Sequence, residues 1–262
     1  MVLVIIQHFA ITYNKQEYKR GGSLKLSKSS VNSFLQCRRA FKYNYIDKIP
    51  QEANEYMELG TDVHQIAEDF VKKGGIYTED YRETLQKLAD DLDSKYDLDI
   101  HLDNLAIFFE DIFQNEQMQY EVFCCEEYLY DKEHNFSGLA DLVVKDENND
   151  IIIIDYKTGR SGSIKKYRLE LCYYRLLLES KYPNVNVISA GIYFTKDGKY
   201  KFLNFAEDVD KGAYCTQKDY DATINLLDFI RDEVKHGRLQ PNRQYLCKYC
   251  FYKDKCEAEG GF

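Results

Sequence analysis

Of the 262 residues, 35 are Lys or Arg and 44 are Asp or Glu, giving a formal net charge of −9. With 44% apolar and 30% charged residues the chain has a globular composition, neither disordered nor fibrous, and its longest apolar runs, Met1 to Ile6 and Ile151 to Ile154, fall far short of the ~18–20 residues that cross a bilayer, which excludes a membrane-spanning protein. The acidic balance argues against holding nucleic acid by charge alone, though not against an enzyme whose carboxylates a divalent metal neutralises; the opening residues lack the basic leader, full apolar core and cleavage site of a secretory signal, so an intracellular, cytoplasmic protein is expected.

In chain order, residues 1–25 read as an extension that ends just after Arg20-Gly21-Gly22-Ser23. Ser27, Ser29 or Ser30 can cap a helix whose Val31, Phe34 and Leu35 recur at helical spacing, with Cys37 at or just past its end. Residues 51–120 read as helical, broken near Gly74-Gly75 and around Asp97 to Asp103, with Val63, Ile66, Ala67 and Phe70 on one side. The period then changes to that of strands over Tyr120 to Asp131, Gly138 to Lys145 and Asp150 to Lys157. Ile164 to Lys181 predicts a helix stopped by Pro183, and Val187 to Phe194 and Tyr200 to Phe205 predict a hairpin turning at Asp197-Gly198. Tyr220 to His236 predicts a last helix capped by Gly237. Without repeats or low-complexity tracts, the pattern predicts one α/β domain with helical additions.

The runs ending at Lys145 and starting at Asp150 flank five polar residues suited to a turn. If Lys145 pairs with Ile151, the same register pairs Val143 with Ile153 and Asp141 with Asp155. Opposed side chains stand ~4.5–5.5 Å apart at Cβ, where two carboxylates repel unless a cation lies between them. Lys157, two residues beyond Asp155, leaves the same face. Asp141, Asp155 and Lys157 together can hold Mg²⁺ or Mn²⁺ and place a cation beside a phosphate or an attacking water, the equipment for metal-activated phosphodiester hydrolysis. The plainer reading makes the acids ordinary strand ends and Lys157 their ion-pair partner.

"GLAD" followed by "IIIIDYKTG" resembles the Gly-x-x-Asp and Asp-x-Lys motifs of the PD-(D/E)XK nuclease superfamily, specifically its RecB-like branch. The resemblance implies a restriction-endonuclease-like core, with a central mixed sheet flanked by helices and a helical insertion at about 51–120, in a single nuclease domain over 26–262. Upstream, "GTDVH" resembles the branch's Gly-x-x-x-His motif, which makes His64 a metal ligand with Asp141, Asp155 and the carbonyl of Tyr156. A lone His on such a helix is otherwise a surface or packed residue, and Glu68, four residues on, could simply pair with it. Downstream, "ELCYY" occupies the place of a Gln-x-x-x-Tyr motif, with Glu170 at the Gln position and Tyr174 at the Tyr. Glu170 cannot donate hydrogen bonds as an amide does, so its part in positioning substrate departs from the family pattern. In "CEEYLY", Glu126 is chosen over Glu127 as an acid facing the site.

Of the eight cysteines, Cys247, Cys250 and Cys256 form C-x2-C-x5-C, a spacing that points to metal and leaves zinc and iron–sulfur both open. Cys37 resembles the cysteine that opens the iron–sulfur module of RecB-like nucleases of the AddB and CRISPR-associated adaptation kind. The resemblance implies a [4Fe–4S] cluster on Cys37, Cys247, Cys250 and Cys256, a module joining the N- and C-terminal parts. Cys124, Cys125, Cys172 and Cys215 read as small core or surface residues. Lys248, Lys253 and Lys255 with the aromatics between them, and Arg38, Arg39 and Lys42 near Cys37, could line a DNA path or form a solvated rim. The function expected is a Mg²⁺- or Mn²⁺-dependent DNA nuclease of a bacterial or phage-infected cell, an exonuclease on single-stranded ends in phage or CRISPR-type DNA processing or recombination, served by a separate helicase, recombinase or integrase-type partner. The rival is a non-catalytic nucleic-acid-binding or structural iron–sulfur protein that keeps the nuclease fold.

Overall fold

The computed structural model describes residues 24–115, 120–205 and 216–261. Most of the 1–25 extension, and Cys215, lie outside the described residues. The elements are β1 (Leu26–Ser27), α1 (Lys28–Gln36), α2 (Arg38–Phe41), a π turn (Lys42–Ile46), α3 (Glu55–Lys72), α4 (Tyr81–Leu92), α5 (Asp99–Phe113), β2 (Glu121–Asp131), β3 (Phe136–Lys145), β4 (Asp150–Lys157), α6 (Arg168–Lys181), β5 (Asn186–Phe194), β6 (Lys199–Asn204), α7 (Gln217–Lys235) and α8 (Lys253–Ala258). They group into two compact units.

One unit comprises Ala53–Asp131 and Ser137–Asp221. Its strands β3, β4, β5 and β6 lie side by side in that order, with β2 also pairing β3. β4 runs antiparallel to β3 and parallel to β5, and β6 returns antiparallel, so this is an α/β architecture with a mixed sheet. Leu142, Val144, Ile154, Tyr156 and Tyr193 join the apolar faces of α3, α4 and α5 in one core, where Phe70 stacks on Phe109 and Phe108 on Tyr193. Val63, Ile66, Ala67 and Phe70 are all buried there, as their spacing predicts. Asp155 and Lys157, of opposite parity to Ile154 and Tyr156, meet α6, which packs on β2 and β5.

The β3–β4 ladder pairs Lys145 with Ile151, Ile152 with Val144, Val143 with Ile153 and Leu142 with Ile154, the register read from the turn. That turn is tied by Asp146, whose Oδ1 accepts from the N–H groups of Asn148 (2.8 Å) and Asp150 (2.9 Å), while Asn149 takes the left-handed φ of 64°. Several predicted boundaries shift, among them α7, which starts at Gln217 rather than Tyr220, and β3, which starts at Phe136 rather than Gly138. The break expected around Asp97 to Asp103 falls earlier: α4 stops as Asp93 turns left-handed at φ 53°, and α5 already starts at Asp99, whose charge suits a helix N-terminus. The predicted helix from Ile164 begins as a 3₁₀ turn, Ile164–Tyr167, before α6.

The other unit falls within Met1–Glu52, Lys132–Phe136 and Ala222–Phe262. Ser27 caps α1 through a reciprocal bond with Ser30. Phe34 packs edge-on against Phe41 and Phe229 of α7. The turn between β2 and β3 belongs here because Arg231 donates to the carbonyls of His134, Asn135 and Leu24, and Leu26 N–H donates to Asn135 C=O at 3.1 Å. Arg38 and Arg238 close on opposite oxygens of Glu233 at 2.5 and 2.6 Å. Gly237 ends α7 at φ 67°, a conformation costly for any residue with a Cβ.

Candidate active site

At the end of β4 the sheet hands over from main-chain to side-chain pairing. One residue beyond the ladder, Asp141 Oδ2 accepts the Tyr156 N–H at 2.8 Å, which fixes the carboxylate against the end of β4. From α3, His64 places Nε2 at 3.1 Å from the Tyr156 carbonyl and Nδ1 at 3.4 Å from Asp141 Oδ2 and 3.8 Å from Glu126 Oε1. One ligand atom each from His64, Glu126 and Asp141 lies within 4.8 Å of the others, the one such group of three among the described residues.

Glu126 gets there by breaking the strand rule. Within β2 its backbone is left-handed, φ 46°, and the regular in–out alternation fails over Val122 to Glu127. A local kink of this type re-aims a side chain at a cost of about 1–2 kcal/mol for a residue with a Cβ. Its neighbour Glu127 pairs instead with Lys181 on α6.

On the α6 side, Asp155 is fully buried; the Tyr174 hydroxyl donates to its Oδ1 at 2.6 Å and Lys157 bonds its Oδ2. Lys157 also reaches Glu170 Oε1 at 3.2 Å. Glu170, standing where an amide was expected, therefore supplies a second carboxylate to the ammonium. Burial opposes the charge on Lys157, but Asp155, Glu170 and Asp141 outweigh it and raise its pKa above the ordinary lysine value. Burial likewise opposes the imidazolium of His64, yet the bond to Glu126 and the charges of Asp141 and Asp155 raise its pKa. Glu68 does not pair with His64: it holds Lys72, one turn on, at 2.6 Å. Four carboxylates thus converge on one ammonium and one imidazole, a donor set of hard oxygens and a nitrogen with an excess of negative charge, which fits a divalent cation such as Mg²⁺ or Mn²⁺.

Sequence comparison places this geometry in a family. A model of the PD-(D/E)XK nuclease superfamily matches residues 25–257. The chain belongs to the PD-(D/E)XK nuclease superfamily. No curated protein matches it by sequence. Among solved structures it is similar to a protein described as "Putative exonuclease" from Eubacterium rectale, with a TM-score of 0.47, 11% identity and 92% of each chain covered. It is also similar to SSO0001, with a TM-score of 0.35, 14% identity, and 83% of this chain and 93% of that one covered.

In this superfamily member the end of β4 carries a further brace that no sequence motif announced. Thr195 N–H donates to the Lys157 carbonyl at 2.9 Å, buried His101 meets Thr195 Oγ1 at 2.7 Å, and Asn104 donates to the Thr195 carbonyl at 2.8 Å. Burial, with the nearby Lys196 charge, lowers the His101 pKa, so the ring stays neutral in the brace.

The nuclease's clustered cysteines meet in the other unit. Cys37, the C-cap of α1, lines one cavity with Cys247, Cys250 and Cys256. Burial raises the thiols of Cys250 and Cys256, and the neighbouring cysteines push the same way. The segment is pinned by Glu259, which accepts from Tyr43 at 2.8 Å and Arg39 at 3.0 Å. Arg38, Arg39 and Lys42 are thereby engaged inside the fold, on Glu233, Glu259 and Asp47, rather than presented as a free basic patch. Tyr245, Tyr249 and Phe251 are exposed, with Lys248 lying over the Tyr245 ring at 3.6 Å. Cys124 and Cys125 lie in β2 and Cys172 in α6, apart from this group. Among the described residues no helix is long and apolar enough to cross a membrane.

Proposed function

We propose that the chain is a Mg²⁺- or Mn²⁺-dependent deoxyribonuclease, an exonuclease acting on single-stranded DNA ends, built as one nuclease domain over residues 26–262. The observation that carries the reading is the meeting of His64, Glu126 and Asp141 within 4.8 Å beside the pair of buried Asp155 and half-buried Lys157, in a member of a nuclease superfamily. The ion would be held by His64, Asp141, Asp155 and the Tyr156 carbonyl, with Glu126 alongside, and would supply Lewis-acid polarisation of a phosphoryl oxygen. Lys157 keeps its charge against burial, and its ammonium offers a donor to the attacking water and to negative charge growing on phosphorus. Tyr174 fixes the rotamer of Asp155, and the Thr195 brace fixes the strand end that carries Lys157. Preference for ends follows the likeness of the motif order to RecB-like nucleases, which also suggests a separate helicase, recombinase or integrase-type partner in phage or CRISPR-type DNA processing or recombination.

In the same reading Cys37, Cys247, Cys250 and Cys256 hold a [4Fe–4S] cluster that joins α1 to the C-terminal segment. A zinc ion bound at ~2.3 Å by four thiolates draws them to about 3.8 Å from one another. A [4Fe–4S] cluster would instead bring iron and inorganic sulfide to the same four thiolates, so elemental analysis separates the two groups. Iron and acid-labile sulfide near four of each per chain, in anaerobically purified protein, is the expected analysis.

The test of the catalytic reading is digestion of end-labelled single-stranded and duplex DNA with Mn²⁺, Mg²⁺ or EDTA, beside Asp155→Ala and Lys157→Ala. Metal-dependent shortening from one labelled end, lost in both variants, is expected. Cleavage that survives Asp155→Ala would overturn the assignment.

A further inference from the structure

The loop that leaves the catalytic strand has an unusual charge. Thr158 to Arg168 carries Arg160, Lys165, Lys166 and Arg168 and no carboxylate; the β5–β6 turn, Thr195 to Lys201, adds Lys196, Lys199 and Lys201 against Asp197 alone. In a chain of net charge −9 this is a concentrated positive region. The two loops are joined to each other: Ser161 N–H donates to Asp197 Oδ2 at 3.1 Å, and Lys201 donates to the Gly162 carbonyl at 2.8 Å. Both are joined to the site, because Thr195 N–H bonds the carbonyl of Lys157 itself.

What separates these cations from ordinary solvated ones is their partners. Elsewhere in the same unit Lys72, Lys73, Arg82, Lys87 and Lys95 each lie on a carboxylate, as do Lys145, Arg175 and Lys181. Among the described residues of that unit, the cations without an ion pair are Arg160, Lys165, Lys166, Lys196, Lys201 and, away from these loops, Lys218. Arg160, Lys165, Lys166 and Lys196 are exposed. Arg160 is three residues beyond Lys157, a reach of at most about 10 Å, or about three stacked nucleotides of one strand.

We propose that these paired loops are the track that grips the phosphodiester backbone of the DNA strand beside the scissile bond. The proposal rests on the nuclease reading and names the surface that delivers its substrate. It also gives an acidic protein a way to approach a polyanion: among the described residues of this unit, every cation without an ion pair except Lys218 lies on these two loops beyond the catalytic lysine.

The test is binding of a fluorescent single-stranded oligonucleotide in EDTA across a salt series, with cleavage kinetics in Mn²⁺, for wild type, the triple variant Arg160→Gln/Lys165→Gln/Lys166→Gln, and a control of equal charge change, Lys73→Gln/Lys87→Gln/Lys95→Gln. Losing three phosphate contacts reduces the slope of log affinity against log salt by about 2. The loop variant should show that reduction and a KM raised tenfold or more, and the control neither. A loop variant that keeps the wild-type slope, or a control that loses as much, overturns the track. Wild-type protein that binds without cleaving, with the slope falling in the loop variant, overturns the catalytic reading and supports the track; protein that binds no DNA overturns both.

Discussion

The left-handed backbone of Glu126 yields a prediction that separates the strain of the site from its chemistry. A residue with a Cβ at φ 46° loses about 1–2 kcal/mol that glycine does not, while glycine loses roughly 0.5–1 kcal/mol through the greater freedom of the unfolded chain. Glu126→Ala removes the carboxylate and keeps the strain; Glu126→Gly removes both. The glycine variant is therefore expected to be more stable than the alanine variant by about 0.5–1 kcal/mol, or roughly 1–4 °C in Tm for a chain of this size. Both lose the acid beside His64 and should lose metal-dependent cleavage together, by about 10- to 100-fold or more. Thermal melts in EDTA, read by circular dichroism, give the stability difference without a contribution from bound ion. A glycine variant that melts at or below the alanine variant would refute the idea that strain in β2 aims this side chain.

Tyr174→Phe frees Asp155 Oδ1 from its buried hydroxyl partner and should raise the Mn²⁺ concentration needed for half-maximal cleavage by about 10- to 100-fold, with recovery at high metal; an unchanged metal titration would contradict the role given to Tyr174. Glu233→Gln leaves Arg38 and Arg238 facing each other without their shared anion. Because both guanidinium heads are partly exposed, the expected loss is about 2–3 kcal/mol, below the ~3–5 kcal/mol of a fully buried pair, measurable as a lower urea midpoint. Burial, with the Glu127 and Glu126 charges respectively, pushes Cys124 and Cys125 up to about 12, so at pH 8 roughly one thiol in ten thousand is ionised. Both should resist iodoacetamide in the native protein and react on unfolding, as mass spectrometry of the alkylated peptides will show.

The sequence reading succeeded where a local period or a rigid residue fixes the outcome. Strand alternation and a five-residue polar turn were enough to set the β3–β4 register, because the length of a hairpin turn fixes which residues face each other, here Lys145 and Ile151. Helical spacing found the buried face of α3, and Gly237 marked the end of α7. Legibility stopped where tertiary partners decide. Nothing in "CEEYLY" signals a left-handed glutamate, since the usual indicators of that conformation are Gly, Asn or Asp. The choice between Glu68 and the distant carboxylates as neighbours of His64 depends on how α3 lies on the sheet, as does the closure of Glu170 on Lys157. The His101–Thr195–Lys157 brace joins residues 94 and 38 positions apart, beyond the reach of any motif.

The cysteine unit is assembled from three stretches of chain, Met1–Glu52, Lys132–Phe136 and Ala222–Phe262, with Arg231 closing on the middle one. During synthesis Cys37 emerges about 210 residues ahead of Cys247. At ~5–20 residues per second it waits on the order of 10–40 s for its companions. Throughout that interval Cys37 is without its three companions while the whole β-sheet unit is made, and any inorganic group the four cysteines share has to be delivered after translation has passed Cys256.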